Sequence, residues 1–218
     1  MRSPPVGGQY PSIFNDVIGP IMRGPSSSHC AAAVRIGRLA RDLMDGEIDH
    51  VQVEFHPDGS LATTHTSQGS DMGLYGGLLG WDAMDDRLTQ SARAIREAGI
   101  EVNIQIADYD APHPNTYKFT LENGTERHEM MAISSGGGMI EVLQIDGVPL
   151  SILGDYYETL ILLESGGEKL IHHLVASADA DHVLLRQAGG RELVQVQAQA
   201  FVPDKVLKEG LAGHDVRS

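Results

Sequence analysis

The chain has 218 residues and 23.5 kDa, 41% hydrophobic and 21% charged, the balance of a folded globular protein of one large domain or two small ones. Thirty Asp and Glu stand against 16 Lys and Arg, and the formal charge of −14 argues against binding to a nucleic-acid backbone or an anionic membrane. One cysteine, Cys30, excludes an internal disulfide framework, a zinc site of several thiolates and an iron–sulfur cluster held by this chain alone.

Residues 1–10 are rich in Pro and Gly and are expected to form a loose arm. After Arg23-Gly24-Pro25-Ser26-Ser27-Ser28-His29-Cys30, the apolar spacing of Ala33, Val34, Ile36, Ala40 and Leu43 predicts a helix from Ala31 to Leu43. One of the three serines is its natural N-cap, and Asp45-Gly46 its stop. Residues 50–56 alternate as a strand, Pro57-Asp58-Gly59-Ser60 is a turn, and Leu61 to Thr66 is expected to return as a hairpin. Gly69-Ser70-Asp71 opens a second helix to about Leu79, and Arg87 to Ala98 reads as a third. Strands follow at 100–106, 116–121, 126–134 and 139–145, the last ending in an Asp146-Gly147 turn. From Asp155 a separate section reads β-α-β-β-α, closing with a short helix from Pro203 to Gly210. The mixture is α+β rather than a regular doubly wound sheet. Apolar runs such as Leu160–Leu163 fall far short of the roughly 20 residues that span a bilayer. No signal peptide is read at the start, so cytoplasm is the expected location.

The segment around Ser26, Ser27, Ser28 and His29 carries the strongest chemical signal. Hydroxyls and backbone N–H groups gather at a helix start, where the dipole favours an anion, and Arg23 stands just before them. The intrinsic pKa of histidine lies near neutrality, which suits His29 to proton transfer. A capped helix start with a surface histidine is the alternative. Ser70 and Asp71 begin the next helix, where both can cap or bind. His113-Pro114-Asn115-Thr116 holds a histidine and an amide on a stiff loop, or is simply a turn. Ser134-Ser135-Gly136-Gly137-Gly138 is either a backbone nest for an anion or a loop between strands. His172-His173 has no partner at metal-ligand spacing and reads as surface. No metal site is expected in the chain. By themselves, these residues indicate a small-anion site of serines, histidines and an Asp, and name no reaction.

From Ser12 to about Gly154 the chain resembles the β component of the iron–sulfur-dependent L-serine dehydratases. The resemblance rests on Ile18-Gly19-Pro20, Gly24-Pro25-Ser26-Ser27-Ser28-His29, Gly69-Ser70-Asp71 with Gly76-Gly77-Leu78-Leu79, His113-Pro114-Asn115-Thr116, and Gly136-Gly137-Gly138-Met139-Ile140-Glu141. It implies a β-type domain over 11–154, similar to the extra α/β domain of some phosphoglycerate dehydrogenases. A small ACT-like domain over 155–218 would follow. It also implies an α partner whose cysteines hold a 4Fe-4S cluster, a small amino-acid substrate, and an assembly as a homodimer or heterotetramer. His29 and His113 become the catalytic candidates. Ser26, Ser27, Ser28, Cys30, Ser70, Asp71, Asn115, Thr116, Gly136 and Gly137 become the substrate-binding ones. Cys30 stands where the family usually has Thr. A non-catalytic module that senses an amino acid is the competing reading.

Overall fold

Alternation of apolar side chains puts Val51, Val53 and Phe55 of β1 (His50–Phe55) on one buried face. β3 (Thr116–Glu122), β4 (Arg127–Gly136) and β5 (Met139–Ile145) present Phe119, Met130, Ala132, Ile140 and Val142 to the same core. The computed structural model describes residues 21–212. The expected arm at 1–10, the Ile18-Gly19-Pro20 motif and residues 213–218 lie outside the described residues.

The larger sheet has six strands in the order β2-β1-β3-β4-β5-β6, with β2 at Glu101–Ile106 and β6 at Val148–Ile152. β1 and β2 are parallel, whereas the other pairs are antiparallel. Between β1 and β2 run the one-turn α2 (Leu61–Thr64), α3 (Ser70–Leu78), a 3₁₀ segment (Asp86–Gln90) and α4 (Ser91–Glu97). α1 (Ala32–Leu43) contributes Ala32, Ile36 and Ala40 to the core, beside Leu74 and Leu78 of α3. Ile36, Leu74 and Leu78, removed from water, contribute about 1.5–3 kcal/mol each.

The expected hairpin strand over Leu61–Thr66 is not formed. Both edges of β1 are occupied, by β2 and by β3, so a returning strand has no backbone to pair with. The segment closes instead as a helical turn, with the N–H of His65 donating to the carbonyl of Leu61 at 3.0 Å. β6, not anticipated beyond its turn, arises because Asp146 and Gly147 both take positive φ (49° and 80°) and fold the chain back on β5.

The last section forms β7 (Tyr157–Leu163), α5 (Gly167–Ser177), β8 (His182–Ala188), β9 (Arg191–Ala198) and α6 (Asp204–Leu211). Its three strands are ordered β7-β9-β8, and Ile161, Leu163, Leu170, Leu174, Val194 and Val196 make a second core. His173, read as surface, instead has Nε2 3.0 Å from the carbonyl of Val206 on α6, while His172 is exposed. Among the described residues no helix is long and apolar enough to cross a membrane.

α1 and α3 meet backbone to backbone. A Cβ on Gly73 would lie 2.2 Å from the carbonyl oxygen of Cys30, and one on Gly77 2.2 Å from that of Val34. Glycine at these two positions sets the N-terminal ends of the two helices side by side.

Candidate functional site

The serine run enters α1 through a wide π-helical turn, Ser27–Ala31, and no serine side chain caps it. The expected capping bond is replaced by a triangle of polar atoms. Ser26 Oγ lies 3.2 Å from Ser28 Oγ and 3.1 Å from His29 Nδ1, and Ser28 Oγ is 3.2 Å from the same nitrogen. Three contacts share two hydroxyl protons, so a serine must turn away from this triangle to donate to a ligand. Ser27 is half-buried between them. Burial lowers the His29 pKa, favouring the neutral ring.

The other face of His29 leads to the second histidine. Its Nε2 is 3.1 Å from Thr64 Oγ1, and the Thr64 hydroxyl donates to the carbonyl of Ser60. Ser60 in turn donates its hydroxyl to Asn115 Oδ1 and its N–H to the carbonyl of Pro114 at 2.9 Å. The N–H of Asn115 donates to His113 Nδ1 at 3.1 Å. Thr116 is buried and locks this loop, accepting the His113 N–H at 3.2 Å and donating to the His113 carbonyl at 2.6 Å. Ser134, at the end of β4, ties the two segments from below. Its hydroxyl donates to the Ser28 carbonyl at 2.7 Å, and its N–H to the Asn115 carbonyl at 3.1 Å.

The structure therefore joins Ser26, Ser28, His29, His113 and Asn115 at the C-terminal end of β1. The serines, both histidines and Asn115 are half-exposed. Cavities of about 570 and 400 Å³ lie elsewhere, the first at the opposite end of α1 and the second between β6 and β8.

The remaining sequence candidates occupy different surroundings. Cys30 is wholly buried, and its thiol contacts the carbonyl of Arg23 at 3.2 Å. Burial first, and then the Asp71 carboxylate, push that thiol up to about 11, so it stays protonated. Ser70 is also fully buried, and neither its hydroxyl nor that of buried Tyr117 completes a hydrogen bond of normal geometry. Desolvation raises the Tyr117 pKa, with the neighbouring Ser70 hydroxyl opposing it. Asp71 accepts the N–H of Met72 at 2.8 Å, and Gly69 before it packs against Pro25 and Cys30. Gly136, Gly137 and Gly138 all take positive φ, not the alternating right- and left-handed residues of an anion nest. Their turn is open at Gly136 and Gly137, and Arg35 of α1 pins it by donating to the Gly138 carbonyl at 2.9 Å. Arg23 points to Asp86 and pairs with it rather than adding charge to the serine run.

Ser60 and Thr64 are the members of this constellation that motif reading did not single out, and Ser134 was named only as part of a glycine-rich loop. The hydroxyl-rich run from Ser60 through Thr63-Thr64-His65-Thr66 was the available signal, hidden by its assignment to a hairpin. The residues present do not suit a metal cluster. The one thiol is buried and protonated, and among the described residues no three His, Cys, Asp or Glu groups come together to hold an ion.

No family model matches the chain. A probable L-serine dehydratase beta chain of Bacillus subtilis (strain 168) is 32% identical over 207 residues, which are 92% of this chain and 93% of that protein. The L-serine dehydratase beta chain of Peptoniphilus asaccharolyticus is 36% identical over 165 residues, 74% of this chain and 72% of its own.

Proposed function

The chain belongs to the family of L-serine dehydratase beta chains, and on that premise we propose that it supplies the carboxylate-binding and proton-transfer half of an active site shared with a cysteine-bearing α chain. The reaction is the elimination of water from L-serine or a related small β-substituted amino acid. Loss of the α-proton and of the β-hydroxyl leaves an enamine, which tautomerises and hydrolyses to a keto acid and ammonia. The 4Fe-4S cluster of such an enzyme would be ligated by the α chain, because the single thiol here is unsuited to a ligand's role.

The observation that carries this reading is the hydrogen-bonded chain from Ser26 and Ser28 through His29, Thr64 and Ser60 to Asn115 and His113. Ser26, Ser27 and Ser28 bind the substrate carboxylate at the start of the helical turn, where the backbone dipole favours an anion. When the serine hydroxyls turn to a carboxylate, they leave His29 Nδ1, and its lone pair becomes the proton acceptor. Nδ1 of the His113 ring accepts the Asn115 N–H, so Nε2 is the nitrogen that bears hydrogen and donates a hydrogen bond to the substrate. Asn115 and Thr116 hold that ring in place. Cys30, Ser70 and Asp71 shape the wall behind the serines, and Gly136 and Gly137 border the open side. The half-exposed serines and histidines are the surface that the α chain would cover. The section from 155 to 218 follows as an ACT-like domain after the β-type domain of 11–154, a division supported by its β-α-β-β-α order and separate core. We place the complex in the cytoplasm.

Anaerobic reconstitution with a cysteine-bearing α chain, followed by an assay for keto-acid release from L-serine, tests the proposal. Turnover is expected from the mixture and from neither chain alone. Full turnover by the α chain without this one would refute it and favour an amino-acid-sensing role.

A further inference from the structure

We propose that Thr64 is a positioning residue that holds the His29 ring in the Nε2–H tautomer and so keeps the Nδ1 lone pair turned toward Ser26 and Ser28. This inference rests on reading His29 as the proton acceptor, and it concerns how the fold prepares that acceptor.

The argument is a count of protons. A threonine hydroxyl has one hydrogen to give. Thr64 Oγ1 is in hydrogen-bond contact with the carbonyl oxygen of Ser60, one helical turn earlier. A carbonyl oxygen carries no hydrogen, so the proton between these two oxygens is the one from Thr64. Toward His29, Thr64 therefore offers lone pairs alone. Nε2 lies 3.1 Å from that oxygen, and the contact is favourable only when Nε2 bears the hydrogen. A neutral imidazole has a single N–H, which leaves Nδ1 bare. Nδ1 is the nitrogen that meets Ser26 Oγ at 3.1 Å and Ser28 Oγ at 3.2 Å.

The local fold makes Thr64 able to do this. Its bond to Ser60 exists because residues 61–64 are a helical turn rather than a strand. Ser60 is itself anchored to the histidine loop by its N–H to Pro114 and its hydroxyl to Asn115. A Cβ on Gly59 would lie 2.7 Å from the Pro114 carbonyl, so the turn and the loop are pressed together. One short segment thus orients both histidines from behind. The β-branched side chain of threonine also limits the rotamers from which its oxygen can reach both partners.

The test has two arms. In the isolated chain, the imidazole nitrogens of His29 are read by long-range proton–nitrogen correlation. Wild type and Thr64→Ser are expected to show Nε2–H, and Thr64→Val, which keeps the shape and loses the hydroxyl, a shift toward Nδ1–H. In the complex reconstituted with the α chain, Thr64→Val is expected to lower kcat about 10–100-fold, the range typical when a group that orients a functional histidine is lost, with KM changed less than about threefold. Thr64→Ser is expected to restore kcat to within about threefold of wild type. A wild-type ring found as Nδ1–H, or a valine variant with its tautomer unchanged, overturns the proposal. Should the valine variant not fold, the wild-type tautomer alone decides. A shifted tautomer with full turnover would leave the geometry standing and refute His29 as the acceptor, so the two failures are distinguishable.

Discussion

Replacing Gly77 by alanine should destabilise this chain even though alanine is the better helix former. On propensity alone the change would gain at most about 1 kcal/mol in the last turn of α3. The new Cβ, however, would stand 2.2 Å from the carbonyl oxygen of Val34 and 2.9 Å from both Arg38 N and Gly37 Cα. Carbon–oxygen contacts across packed helices lie at about 3.3–3.6 Å, so the backbones of α1 and α3 must part by about 1 Å. None of these three contact atoms is the end of a flexible side chain, which puts the overpacking cost near the upper end of its usual range, about 3 kcal/mol. The net loss is about 2 kcal/mol, or roughly 4–8 °C in Tm for a chain of this size. Gly124→Ala is the control, since nothing lies within 4 Å of its would-be Cβ, and it should stay within about 0.5 kcal/mol of wild type. Thermal and urea unfolding of the isolated chain measure both. A Gly77→Ala protein as stable as wild type would refute the close-packing argument. In the reconstituted complex the same shift would move the serine run against α3, and misplacement of that order costs about 10²-fold in turnover.

In that complex, Ser28→Ala should appear mainly in KM, losing about 1.5–3 kcal/mol of a hydrogen bond to a charged group. His29→Gln and His113→Gln should instead lower kcat about 10²–10⁴-fold, and wild-type turnover in both would remove them from the reaction. His128 of β4 and Asp146 of the turn between β5 and β6, 2.7 Å apart, make stability depend on pH. The hydrogen bond to Asp146 raises the His128 pKa above 6.5 despite burial, so its contribution is complete below 6.5 and disappears as pH rises through the folded value. The Asp146 pKa is lowered from 3.8, desolvation being outweighed by the bonds from His128 and the Glu129 N–H, so its contribution is present above 3.8 and lost as pH falls through the folded value. Asp146→Asn, which tolerates the positive φ, should therefore cost more stability at about pH 5.5 than at about pH 8.5 by urea titration, and an equal cost at both would contradict this. Cys30, buried with its thiol held near 11, should resist an aromatic disulfide reagent in the native chain and react at once in denaturant.

Much of the architecture was legible locally. The alternation in β1, the helical spacing of α1 and the Asp146-Gly147 turn each depend on neighbours a few residues apart. The serine–histidine run and the His113 loop were visible as motifs for the same reason. Leu61–Thr64 was misread because its fate depends on β2 and β3 having already taken both edges of β1, a fact of topology absent from the segment itself. The roles of Thr64 and Ser60 were hidden likewise. Thr64 meets His29 across 35 positions of chain, and Ser60 meets Asn115 across 55. Composition alone, with a single cysteine and a charge of −14, argues against an iron–sulfur cluster held by this chain by itself and against binding to a phosphate backbone. Tertiary structure alone decided which nitrogen of His29 faces the serines, because a tautomer follows the partner on the far side of the ring, and here a distant helical turn brings that partner.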